Sequence, residues 1–143
     1  MNIHTAEHQT ASTNYGNVGK AQGKLANGIT WTLQGLLSLL YLFAGAMKFI
    51  MPAEEMTKSS PLPLAFIYFI GVCEILGGLG LVLPGMLKIR RGLTPIAAIG
   101  LTIIMVGAVV ISFQMDPKTA IMPFAAGALV AFVAYRRWPW LAD

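Results

Sequence analysis

Glu74 stands inside an apolar run from Leu62 to Leu83. The run is long enough to cross a bilayer, so this carboxylate falls near the midplane, where even lenient insertion scales penalise it by about 3 kcal/mol. A group that expensive is expected to be paired or used. A partner exists one apolar run earlier. Gln34, Ser38, Tyr41, Gly45 and Lys48 follow one another at steps of four, three, four and three, which puts them on one face of a helix. Polar groups avoid lipid, so that face points into a bundle or onto a partner. On antiparallel helices, Glu74 and Tyr41 lie about 16 Å below the same boundary and Lys48 about 6 Å below it. Side chains lean toward the N-terminus of their own helix, so Lys48 leans inward and Glu74 outward. This arrangement predicts a Lys48–Glu74 pair with the Tyr41 hydroxyl as a second donor. Two uses remain open. The pair either locks helix register or lines a cavity for a small molecule or a proton.

Other chemistries lack their residues. The only cysteine is Cys73, so a membrane dithiol exchange, which needs two thiols, is excluded. Cys73 itself reads as a packing residue. The only histidines, His4 and His8, lie in a polar tail, which leaves no intramembrane imidazole for haem. His4-Thr5-Ala6-Glu7-His8 matches a zinc-protease pattern by letter, but a catalytic site needs a packed helix and a third ligand. No metal is expected.

The elements that would position Glu74 and Lys48 are membrane helices. The chain has 143 residues, of which 56% are hydrophobic and 11% charged, and a mean hydropathy of +0.67. A soluble domain carries about 25% charged residues, so this composition belongs to the membrane class. The net charge of +4 is no nucleic-acid signature, because the basic residues flank apolar runs instead of sharing a face. Four apolar segments follow the tail, at about 29–51, 62–83, 93–115 and 117–135. Each is close to the ~20 residues a helix needs to span ~30 Å. Ser60-Pro61, Thr94-Pro95 and Asp116-Pro117 read as helix starts and Pro84-Gly85 as a stop. Short loops make successive helices antiparallel. The expected fold is all-α: an integral membrane antiparallel four-helix bundle over 29–137. A disordered polar tail precedes it over 1–28, without the apolar stretch of a cleavable signal. An interfacial tail follows over 138–143.

Lys20, Lys24, Lys88, Arg90, Arg91, Arg136 and Arg137 fall on one side of this topology. Lys48, Lys58 and Lys118 fall on the other, offset by Glu54, Glu55 and Asp116. The excess predicts both termini in the cytoplasm. Trp31, Tyr135, Trp138 and Trp140 then form an aromatic belt, and the run 135–140 reads as an interfacial anchor. Small residues mark helix packing: Gly45 in the first span, Gly71, Gly77 and Gly78 around Glu74, Gly107 in the third span.

Several of these stretches resemble one family. Phe43-Ala44-Gly45-Ala46-Met47-Lys48-Phe49 resembles the GxxK signature of the DoxX-like membrane proteins. The segment from Ile70 to Pro84 resembles that family's second-helix motif, in which the glutamate is characteristic. Leu93-Thr94-Pro95-Ile96-Ala97-Ala98 and the run from Ile104 to Val110 are similar to its third helix. The likeness covers roughly Trp31 to Arg136. It implies a four-helix bundle in a bacterial inner membrane. The family's name comes from association with a thiosulfate:quinone oxidoreductase, and other members are similar to subunits of membrane redox complexes. Many relatives carry a histidine near the end of the third helix, where this chain has Ser112-Phe113-Gln114. No role for that histidine carries over.

The resulting expectation is a small inner-membrane protein that serves as a subunit or accessory of a membrane redox system. It would bind a quinone or another hydrophobic small molecule around Glu74 and Lys48, with Tyr41, Gln34 and Ser38 nearby. The chain itself would carry no cofactor, so any electron carrier would belong to a partner. Expected partners are the lipid bilayer, a redox enzyme and a second copy of the chain, with no nucleic acid. A proton-coupled small-molecule transporter working as a dimer is a second reading. A non-catalytic assembly or stress-response protein is a third. Whether the chain is an enzyme stays unassigned.

Overall fold

The computed structural model describes residues 2–142, and the chain divides into two units, Met1–Thr32 and Leu33–Asp143. The first unit holds the early part of helix α1, which runs Ile3–Ile50. The expected disordered tail is corrected here: the segment is helical from Ile3 onward. No proline occurs before Pro52, and the Ala, Gln, Lys and Leu of the segment are good helix formers. Its hydroxyls fold back on the helix, with Thr10 and Thr13 each donating to a carbonyl four residues earlier at 2.8 Å. Its residues are nevertheless almost all exposed.

The second unit is a helical bundle. It comprises residues 33–50 of α1, then α2 (Ala53–Ser59), α3 (Leu64–Leu87), α4 (Leu93–Met115), a 3₁₀ turn (Pro117–Ala120), α5 (Ile121–Arg137) and a final 3₁₀ turn (Trp138–Ala142). Among the described residues, four helices are long and apolar enough to cross a membrane. The pairing is antiparallel: Ser38 meets Gly78 while Gly45 meets Gly71, and Gly80 meets Ala97 while Gly77 meets Leu101. Leu37, Leu81, Leu101, Met105, Val130 and Val133 form a shared core from α1, α3, α4 and α5. Large apolar side chains also cover the outside, among them Phe69, Leu76, Ile103 and Phe124, each more than half exposed. Lipid, not water, suits such a surface.

The helix boundaries differ from the sequence expectation in three places. Ser60 does not start α3. It ends α2, a short helix not anticipated in the first loop, and its backbone there is extended. Pro63 occupies the N-cap of α3. Thr94 lies within the first turn of α4, which already starts at Leu93. Pro84 does not stop α3, which runs on to Leu87 and closes on Lys88 in the left-handed conformation (φ 54°). Proline lacks an N–H and gives up one backbone bond, which a helix near its end tolerates. Asp116-Pro117 behaves as read, Asp116 Oδ1 accepting from the Lys118 N–H at 3.0 Å, although the first turn beyond it is 3₁₀.

Candidate functional site

The polar face of α1 lies against α3, and glycines make that approach close. A Cβ built on Gly45 would sit 2.7 Å from the Gly71 carbonyl oxygen, and one on Gly78 3.0 Å from the Ser38 carbonyl oxygen. Gly71 and Gly77 are confined too, the first by Phe49 and Lys48 at 3.2 and 3.3 Å, the second more tightly by the Leu101 side chain at 2.6 Å. At this distance short polar side chains of α1 reach the α3 backbone. The Ser38 hydroxyl donates to the Gly78 carbonyl at 2.7 Å, and Gln34 Nε2 donates to the Leu81 carbonyl at 2.5 Å. Both carbonyls also belong to a helix ladder, so these are second bonds that tie one helix to the next. Gly107 does not share this role. Nothing lies within 4 Å of a Cβ built there, which corrects its reading as a packing glycine.

Toward the α2 end, Lys48 Nζ approaches Glu74 Oε2 to 2.6 Å. Glu74 is buried, while a quarter of the Lys48 side chain remains accessible. Tyr41 does not supply the expected second donor. Its ring is buried, and its hydroxyl has no hydrogen-bond partner among the described residues. The five residues expected to form one site therefore divide. Glu74 and Lys48 reach a cavity, whereas Gln34, Ser38 and Tyr41 are sealed in the helix interface.

That cavity measures about 590 Å³ and lies between α1, α2, α3 and α4. This volume falls within the range of small-molecule pockets, about 300–1,000 Å³. Its wall is apolar, built from Ile67, Ile70, Ile104 and Ile111, and it includes Met47, Met51, Met56, Met105 and Met115. Unbranched methionines adapt to ligands of different shape. Gly107 and Ala108 keep the α4 side open, and Ser59, Ser60 and Ser112 add hydroxyls. Ser112 is the residue of the Ser112-Phe113-Gln114 stretch that reaches this space; Phe113 and Gln114 are exposed. Cys73, half-buried and free, does not line it.

One residue central to the buried polar column was missed. Arg137 is buried at 5% exposure, donates from Nε to Gln34 Oε1 at 2.7 Å, and stacks its guanidinium 4.1 Å from the Trp140 ring centroid. Gln34 thus links α3 to α5 through α1. The signal was present in the sequence: Val130, Val133, Ala134 and Arg137 fall at helical spacing on one face, and all are buried.

The family model that matches is that of the DoxX-like family, over residues 32–133. This range holds Gln34, Ser38, Tyr41, Lys48 and Glu74, together with every residue of the cavity wall. No curated protein and no solved structure matches the chain.

Proposed function

Because the chain belongs to the DoxX-like family and is a multi-pass integral membrane protein, we propose that its cavity binds a hydrophobic small molecule with a polar head, of which a quinone is the best-fitting type. The observation that carries this reading is an apolar cavity of about 590 Å³ that contains the Lys48–Glu74 pair. Glu74 lies about 15 Å along α3 from its start, so an apolar body can fill the Met-rich wall while its head meets the pair. The ammonium of Lys48 can donate to a carbonyl oxygen of the head group. A structural lock would need no such space beside it. In this reading the protein is a subunit or accessory of a membrane redox system, and the electron carrier belongs to the partner enzyme. It sits in the inner membrane with both termini cytoplasmic, as its Lys and Arg distribution favours.

Extraction of the gently solubilised protein and assay of its organic fraction tests the binding reading. Quinone should co-purify with the native chain and fall to background in the Lys48→Met/Glu74→Gln double variant. Background quinone in the native chain, or equal amounts in both, would overturn it. A proton-driven flux in proteoliposomes that vanishes in Glu74→Gln would support the dimeric transporter instead.

A further inference from the structure

The end of the bundle opposite the cavity brings two basic segments together. One is the α3–α4 loop, with Lys88, Arg90 and Arg91. The other is the end of α5, with Arg136 and Arg137, and its 3₁₀ turn. Trp140 joins them. Its ring has the Arg137 guanidinium at 4.1 Å on one approach and that of Arg91 at 5.8 Å on another, both within cation–π range. The backbones touch as well, since a Cβ on Gly92 would lie 3.0 Å from the Trp140 carbonyl oxygen.

With Arg91 and Arg137 engaged on Trp140, the neighbouring cations turn outward. Lys88, Arg90 and Arg136 are exposed. Lys88 and Arg90 both hold positive φ, 54° and 41°, a conformation that residues other than glycine rarely adopt. A loop that keeps two such residues, both cationic and both exposed, holds its charges forward at a conformational cost. The acidic residues described in this unit lie elsewhere. Glu54 and Glu55 are in α2 and Asp116 is at the α4–α5 junction, all at the other end, while Glu74 is taken by Lys48. The cations are interleaved and flanked by exposed apolar side chains, including Leu87, Ile89, Trp138 and Leu141. A soluble anion has no use for such a rim; acyl chains do.

We propose that Lys88, Arg90 and Arg136, held in place by the Arg91–Trp140–Arg137 stack, form a binding site for the phosphate headgroup of an anionic phospholipid in the leaflet at this end of the bundle. Phosphodiester oxygens accept from the exposed cations, and the lipid tails lie along Leu87 and Ile89. A headgroup with two phosphates, as in cardiolipin, matches a site fed by two separate segments.

The test uses the full chain in nanodiscs of phosphatidylcholine containing cardiolipin, followed by dilution into detergent and mass spectrometry of the lipid that stays bound. Cardiolipin should be retained over phosphatidylcholine and should be released by rising salt, as an electrostatic contact requires. Lys88→Asn/Arg90→Asn keeps residues tolerant of positive φ and should lower cardiolipin retention about thirtyfold, with the same melting temperature in neutral detergent. Trp140→Leu, which leaves every cation in place but unstacks two of them, should lower retention by a smaller factor. Salt-independent retention of cardiolipin by the native chain would overturn the proposal, as would equal retention of both lipids. Displacement of cardiolipin by inorganic phosphate at matched ionic strength would assign the site to a soluble anion and overturn the lipid reading. Retention of an acidic protein in place of lipid would do the same.

Discussion

Lys48 and Glu74 meet at 2.6 Å, but they do not share one environment: the carboxylate side chain is 5% exposed and the lysine side chain 27%. The pair therefore straddles the boundary between the packed helix interface and the cavity. Its inner member is committed to the fold, and its outer member still faces open space.

Removal of either partner should leave the other stranded. Lys48→Met and Glu74→Gln should each destabilise the bundle by about 3 kcal/mol, and the double variant should recover much of that loss. Thermal melts of the three proteins in detergent read this directly. Additive losses without recovery would dismiss the pair as a stability element.

The glycines should separate into two kinds. Gly45→Ala pushes a methyl group against the Gly71 carbonyl oxygen and the Ile75 side chain, both at 2.7 Å, and backbone oxygen cannot move aside. A loss of about 1–3 kcal/mol is expected. Gly107→Leu should leave the melting temperature within a degree or two, because open space surrounds it, yet it should fill the cavity and reduce quinone retention. Equal destabilisation by both changes would contradict the geometry.

Gln34→Leu should cost more than Ser38→Ala. Gln34 serves the Leu81 carbonyl and the buried Arg137 at once, and a hydrogen bond to a charged group contributes about 1.5–3 kcal/mol. Ser38 makes one neutral bond to Gly78, so about 1 kcal/mol is expected. Urea or thermal unfolding of the two variants would reverse this argument by reversing their order.

Orientation can be checked with thiol labels in a Cys73→Ser background. Ser59→Cys and Thr119→Cys should react with an impermeant maleimide from outside intact cells, since the basic residues gather at the other end. Labelling only after lysis would invert the topology.

The approach of Lys48 to Glu74 was legible in the sequence for a physical reason. In a bilayer, depth along a helix is set by the residue count from a proline or charge at the boundary, so two residues on antiparallel spans acquire a common coordinate. The Gln34–Ser38 face was legible by its period. Tyr41 shows where such counting fails: it gives height but not the rotation that decides whether a hydroxyl meets a carboxylate. Arg137 was hidden by its neighbours. In the run Tyr135-Arg136-Arg137-Trp138-Pro139-Trp140 composition says anchor, and only the helical phase inherited from Val130 and Val133 says that one of the two arginines turns inward. Gly107 repeats Gly100 at a heptad step, yet both lie in open space; small size permits a close neighbour but does not supply one.

Helix α2 has one buried residue, Met56, and a helix of seven residues does not persist on its own. The segment is therefore seated largely by one thioether, and burial of a methionine contributes about 1.5–3 kcal/mol. Because Met56, Ser59 and Ser60 form that side of the cavity, release of this one short segment would widen it without any rearrangement of the four long helices. Residence time in the cavity would then depend on that doorway, and a bulkier or smaller side chain at position 56 would change exchange rates together with the fit of the apolar wall, while the Lys48–Glu74 pair itself stays in place.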